Sequence, residues 1–160
     1  MMKLVVLGAG ESGVGTAILG KKKGFDVFVS DKGEITEKYK KVLLNNDISF
    51  EELEHSESKI LEANMVVKSP GIPDNIELVQ KLKKNQISVI SEIEFTSKYT
   101  NKTIIGITGS NGKTTTTMLL NHVLKNADLN VGMGGNIGKS FAQQVAEDNF
   151  DYHVLELSSF

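Results

Sequence analysis

Leu4 to Leu7 form an unbroken apolar run closed by Gly8, the pattern of a strand buried on both faces of a parallel sheet. Glycine-rich residues 8–15 lead from it into Val14, Ala17 and Ile18 at helical spacing, and Gly24 supplies a C-terminal stop. Val27 to Val29 give a second short strand that ends at Ser30 and Asp31. Residues 34–46 place Ile35, Tyr39, Val42 and Leu43 on one helical face, with Glu37 and most lysines opposite, which predicts a helix covering the sheet. Further short apolar runs, Met65 to Val67 and Ser88 to Ile90, flank a helical stretch carrying Ile76, Val79 and Leu82. Strand and helix alternate throughout, so the expected class is α/β with a parallel, Rossmann-like sheet and right-handed crossovers.

The rhythm then restarts. Residues 97–102 are polar and precede a fresh buried strand, Thr103 to Ile107, so the expected boundary separates residues 1–98 from residues 99–160. The second unit reads as a glycine loop, a helix with Leu120, Val123, Leu124 and Ala127 on one face, a strand at 130–133 and another at 152–157. Two or three strands alone leave open edges and an uncovered apolar face. The second unit is therefore expected to be the first part of a larger P-loop-type domain, truncated at Phe160.

Composition narrows the function. The 160 residues are 39% hydrophobic and 24% charged, enough for a real core. The net charge of −2 provides no positive field to gather a nucleic acid. All eighteen basic residues are lysines, so no guanidinium fork is present for bidentate phosphate recognition. The absence of cysteine excludes disulfides and thiolate metal sites. The apolar start breaks at glycines and Glu11, too early for a signal peptide, and no run approaches the ~18 apolar residues of a membrane helix. A soluble, cytoplasmic protein is expected. His55, His122 and His153 have no recognisable partners and read as surface or packing residues.

Gly8-Ala-Gly10-Glu-Ser-Gly13 matches G-x-G-x-x-G between a predicted strand and a predicted helix. Glycines there allow a tight turn and let a ligand approach backbone amides at the positive end of a helix. Asp31, eighteen residues beyond Gly13, ends the second strand where a carboxylate can accept hydrogen bonds from a ribose. The residues leave three readings open: a dinucleotide such as NAD, another nucleotide, or glycines that only permit close packing beside a solvated Asp31.

Gly106-Ile-Thr-Gly109-Ser-Asn-Gly112-Lys113-Thr114 also runs off a strand into a helix. The common P-loop pattern wants glycine five positions before Gly112, where Ile107 stands. What survives carries the chemistry: a nest of N–H donors, a lysine for β- and γ-phosphate oxygens, and a hydroxyl able to coordinate Mg²⁺. Lys113 at a helix N-terminus is disfavoured unless an anion shares the site. Thr115 to Thr117 suit helix packing.

This second loop is similar to the ATP loop of the Mur ligase family, which departs from the common P-loop at the position Ile107 occupies. Ser69-Pro-Gly-Ile72, Gly134-Gly-Asn-Ile-Gly138 and Leu155-Glu-Leu-Ser-Ser-Phe160 extend the likeness over essentially the whole chain and resemble the family's D-glutamate-adding branch. The resemblance implies an ATP- and Mg²⁺-dependent amide ligase of peptidoglycan synthesis. Such a ligase adds D-glutamate to UDP-N-acetylmuramoyl-L-alanine through an acyl phosphate. A nicotinamide-dependent oxidoreductase, or another ligase of the Mur or folylpolyglutamate type, is the alternative.

Carried over by the resemblance, Gly10, Glu11, Ser12, Asp31 and Lys32 form the uridine site, and Ser69, Pro70, Gly71 and Asn136 approach its diphosphate. Gly109, Ser110, Asn111, Gly112, Lys113, Thr114 and Thr115 hold ATP. Lys113 and Glu156 are the catalytic expectations, with Thr114 and Glu156 as metal ligands. Glu156, between Leu155 and Leu157, is otherwise a half-buried carboxylate without a partner. Ser158 and Ser159 either line the substrate channel or cap a following helix. The glutamate site and further metal ligands are expected elsewhere, and the segment alone is expected to bind nucleotide as a monomer without turnover.

Overall fold

In the computed structural model, residues 1–158 are described; Ser159 and Phe160 lie outside the described residues. The apolar runs become a five-stranded parallel sheet: β1 (Lys3–Leu7), β2 (Asp26–Ser30), β3 (Ser49–Glu51), β4 (Met65–Lys68) and β5 (Ser88–Ser91), ordered β3-β2-β1-β4-β5. Leu7 pairs with Ser30 on one side and Lys68 on the other. The loops that follow β1, β2 and β4 therefore emerge together at the carboxyl edge. Strand order reverses at β1, the position where open α/β sheets bind ligands.

The pleat divides the core in two. Leu4 and Val6 face α1 (Glu11–Lys22), α2 (Glu37–Asn45) and α5 (Glu92–Ser97), meeting Val14, Ala17, Leu43 and Phe95. Val5 and Leu7 face α3 (Glu57–Ile60) and α4 (Glu77–Lys84), meeting Ile60, Leu78 and Leu82. Complete burial on both faces explains the unbroken apolar spelling of β1, and each such side chain contributes about 1.5–3 kcal/mol.

A second parallel sheet contains β6 (Thr103–Ile107), β7 (Val131–Gly135) and β8 (Tyr152–Glu156) in the order β6-β8-β7. Its helices are α6 (Lys113–Asn126) and α7 (Phe141–Glu147). Helix α7 packs against α1 and α5 of the first unit, joining the units. The buried Glu92 carboxylate accepts hydrogen bonds from Ser140 Oγ (2.7 Å) and Ala142 N (3.0 Å), capping α7 from across this junction.

Several elements differ from expectation. Helix α2 begins at Glu37 because Thr36 is extended and forms its N-cap. Strand β3 and helices α3, α5 and α7 have no counterpart in the periodicity, being three to seven residues long. The predicted apolar face of α6 is only partly covered: Leu120 and Leu124 are half-buried, whereas Val123 is 52% exposed and Ala127 is exposed too. Strand β6, expected to be buried, is instead open to solvent: Ile104 is 38% exposed and no residue of the strand is fully buried, in keeping with the few strands of this sheet.

His153 is buried between Phe141 and Phe150, with its Nδ1 3.1 Å from Gln144 Oε1. Burial lowers its pKa from the ordinary histidine value; Lys102 acts in the same direction and Asp148 against it. His55 is likewise lowered, chiefly by burial. Both histidines take up protons more readily in the unfolded chain, which titrates near 6.5. Their contribution is thus fully present above about pH 6.5 and is lost as pH falls from there through the folded-state values, at up to about 1.4 kcal/mol per pH unit for each. The urea midpoint should be lower at pH 5.5 than at pH 7.5, and an equal or higher midpoint at pH 5.5 would contradict this assignment.

Candidate functional site

The first loop is built by a close approach between backbone segments. A Cβ on Gly13 would stand 1.9 Å from the Gly8 carbonyl oxygen, so only glycine lets α1 begin this near β1. Gly10 has open space where a Cβ would go, leaving its backbone free to meet a ligand. Asp31 staples the turn: Oδ2 accepts from Ala9 N (2.6 Å) and Oδ1 from Gly33 N (2.8 Å). Beyond the loop opens a cavity of about 680 Å³, of nucleotide size, lined by Gly8, Gly10, Asp31, Lys32, Ser69 and Gly71 on its polar side. Leu53, Ile72, Pro73 and Ile76 form its apolar walls.

Glu11 does not join that cavity. The first turn of α1 carries it toward α2, where Tyr39 Oη donates to Glu11 Oε2 at 2.9 Å and ties the two helices together. Burial raises the Tyr39 pKa, and the Glu11 carboxylate raises it further.

The second loop turns into α6 through Gly112 at φ +76°, a left-handed conformation that side chains rarely adopt. Lys113 Nζ donates to Gly109 O at 2.7 Å, curling the lysine back over the loop. Thr114 Oγ1 donates to Glu156 Oε2 at 2.8 Å. Glu156 sits at the end of β8 with only 6% exposure, and Thr114 is the partner that the sequence could not assign to it. Ser110, Asn111 and Thr115 are exposed around the loop mouth, whereas Thr117 is buried in the packed face of α6. Among the described residues no group of three histidine, cysteine, aspartate or glutamate side chains is placed to hold a metal. A hydroxyl and one carboxylate nevertheless suit Mg²⁺, which keeps several waters and takes phosphate oxygens as ligands.

A further cavity of about 350 Å³ lies between the units, lined by Ser12, Pro70, Glu92, Asn136, Glu156 and Ser158. Asn136 N donates to Glu156 O (2.9 Å), and its side-chain amide lies 3.1 Å from Ser158 Oγ. Residues expected to touch one substrate therefore divide between two cavities: Gly10, Asp31, Lys32, Ser69 and Gly71 in the first, and Ser12, Pro70, Asn136 and Ser158 beside Glu156 in the second. Ser159 lies outside the described residues.

Sequence reasoning missed Glu92 and Leu53 and read His55, which lines the first cavity, as a surface or packing residue. A capping signature, Ser140-x-x-Gln143, does announce α7, and Ser140 Oγ accepts from Gln143 N at 3.2 Å. Nothing local marks Glu92 as its partner from 48 residues away.

Two parallel sheets, each headed by a glycine loop at the carboxyl end of its first strand, define the class: a two-unit α/β protein of Rossmann and P-loop type. A family model described as the MurD N-terminal domain matches residues 3–78, and one described as the Mur ligase middle domain matches residues 107–160. The chain belongs to the Mur ligase family, matching its MurD branch. It is 60% identical over 158 residues to the UDP-N-acetylmuramoylalanine--D-glutamate ligase of Christiangramia forsetii, covering 99% of this chain and 36% of that relative. The chain thus spans about a third of the length of the curated relatives it matches. A pseudomurein peptide ligase type C from Methanothermus fervidus shares 32% identity at TM-score 0.59, covering 99% of this chain and 33% of that one. A ligase (MPL) from Neisseria meningitides, at 23% identity and TM-score 0.63, shares the fold over 98% of this chain and 52% of that one.

Proposed function

We propose that this chain is the nucleotide-handling segment of an ATP-dependent ligase adding D-glutamate to UDP-N-acetylmuramoyl-L-alanine in peptidoglycan synthesis. Residues 1–98 take the UDP part of the substrate, and residues 99–160 begin the ATP domain. The observation that carries this reading is the joining of Thr114 to Glu156 at 2.8 Å beside the Lys113 loop, at the edge of a cavity that reaches Ser12 and Pro70 of the first unit. Two anion cradles on consecutive sheets are what the chemistry needs, because a substrate carboxylate must meet a triphosphate despite like charge.

Within that reading, Gly109 to Thr114 present backbone amides and the Lys113 ammonium to the phosphates, with Thr115 at the rim. Thr114 and Glu156 hold Mg²⁺, which supplies neutralisation of charge on the transferring phosphoryl group. Gly10, Asp31 and Lys32 bind the uridine, while Ser69, Pro70, Gly71 and Asn136 border the diphosphate, and Ser158 faces the path between. The substrate carboxylate attacks the γ-phosphoryl group and expels ADP, and the amine of D-glutamate then displaces inorganic phosphate from the acyl phosphate and gives up a proton to form the amide. The protein is a cytoplasmic monomer on this reading; no described helix is long and apolar enough to cross a membrane.

The test is a chimera in which this chain replaces the matching 158 residues of the Christiangramia forsetii relative. Phosphate release from ATP should require UDP-N-acetylmuramoyl-L-alanine and D-glutamate together. Release that ignores the amino acid would overturn the proposal.

A further inference from the structure

The loop joining β3 to α3, residues 52–56, is fastened at both ends. Glu52 accepts from Ile35 N (2.8 Å) and pairs with Lys40 (2.8 Å), while Leu53 N donates to Gly33 O (3.1 Å). Buried Glu51 accepts through Oε1 from Ser56 N (2.7 Å) and from Ser30 Oγ (2.7 Å), with Lys59 3.5 Å from Oε2. Between these anchors Leu53 is held at φ +65°, the left-handed region that a side chain bearing Cβ enters only at a steric cost. It is also 70% exposed, so the strain gains no core burial in return. Its side chain lines the 680 Å³ cavity instead, with Ile72, Pro73 and Ile76 also in the wall. Backbone strain combined with an exposed apolar side chain at a cavity wall suits a group that covers a ligand.

His55 lines the same cavity, and its tautomer is set from behind. Ser30 Oγ has one proton, and the Glu51 carboxylate at 2.7 Å can only accept it. The contact between Ser30 Oγ and His55 Nδ1, also 2.7 Å, must then run from Nδ1–H to the hydroxyl oxygen. A neutral imidazole protonated at Nδ1 leaves Nε2 with a lone pair and no hydrogen-bond partner among the described residues. The cavity wall therefore offers an acceptor, which welcomes a ring N–H and repels a ring nitrogen lone pair.

Resting on the reading of this cavity as the uridine site, we propose that residues 52–56 read the base: Leu53 covers its face and His55 Nε2 accepts from its ring N–H. Uracil presents N3–H to such an acceptor, whereas cytosine presents an unprotonated N3. The pocket then selects uracil over cytosine through the Glu51–Ser30–His55 chain.

The experiment is calorimetric titration of the 160-residue chain with UMP and with CMP at pH 8, using wild type, His55→Leu and Leu53→Gly. Wild type should bind UMP at least ~10-fold more tightly than CMP, a difference one discriminating hydrogen bond can supply. His55→Leu should bring the two within about twofold by weakening UMP. Leu53→Gly should raise the thermal midpoint by ~2–4 °C, because glycine relieves the left-handed strain, while weakening both nucleotides ~5-fold and keeping their ratio. Equal binding of UMP and CMP by wild type, or undiminished UMP affinity in Leu53→Gly, overturns the proposal while leaving a uridine site in place. No UMP binding to wild type overturns the uridine site itself, and this proposal with it.

Discussion

Gly13→Ala should destabilise the chain by about 3 kcal/mol or more, the upper range for forcing an extra carbon into packed structure. For 160 residues that lowers the thermal midpoint by roughly 10 °C. The new Cβ would stand 1.9 Å from Gly8 O and 2.9 Å from Gly8 C, and neither atom is the end of a flexible side chain. The loop cannot easily give way. Gly8 N is tied to Ser30 O at 2.9 Å and Ala9 N to Asp31 at 2.6 Å, so moving one carbonyl means breaking the staple to β2. Gly10→Ala is the matched control: its φ of −78° suits any residue and nothing lies within 4 Å of the added carbon. Differential scanning calorimetry should therefore separate the two, and a Gly13→Ala midpoint as high as that of Gly10→Ala would refute the close-approach argument.

Lys113→Ala should leave the midpoint nearly unchanged and reduce the affinity for Mg²⁺-ATP on the order of 100-fold. Without ligand the ammonium makes one hydrogen bond among the described residues, to Gly109 O at 2.7 Å within its own loop, and removing it costs the fold little. With a triphosphate present it supplies charge-assisted hydrogen bonds worth about 1.5–3 kcal/mol in total loss when deleted. Titration calorimetry at constant ionic strength measures this directly. Binding within a few-fold of wild type would mean that Lys113 does not reach the phosphates.

Much of this was legible because the informative residues are local. The β1 run, the two glycine loops and the Asp31 strand end each declare a strand-turn-helix corner within about a dozen positions, and the family resemblance rests on those same strings. The bond from Tyr39 to Glu11 was not legible, because a motif fixes backbone but says nothing of which way a helix-start side chain leans. Strand β3, with three residues, and helix α3, with four, are too short to show a period, so the loop between them and its Leu53 were invisible, and His55 was read without its partner Ser30. Glu92 eluded detection for another reason: its partners Ser140 and Ala142 meet it only when the two units pack. In α6 the apolar positions expected to share a covered face are only partly covered, because burial depends on what packs there, and Val123 remains half exposed.

The most direct test of two separate anion cradles is a heteronuclear NMR titration of the chain, first with UMP and then with Mg²⁺-ATP. UMP should perturb the amides of residues 8–13 and 31–33, and Mg²⁺-ATP should then perturb residues 109–114 without displacing it. Competition between the two nucleotides for one loop, or a response at residues 8–13 to NAD but not to UMP, would contradict it.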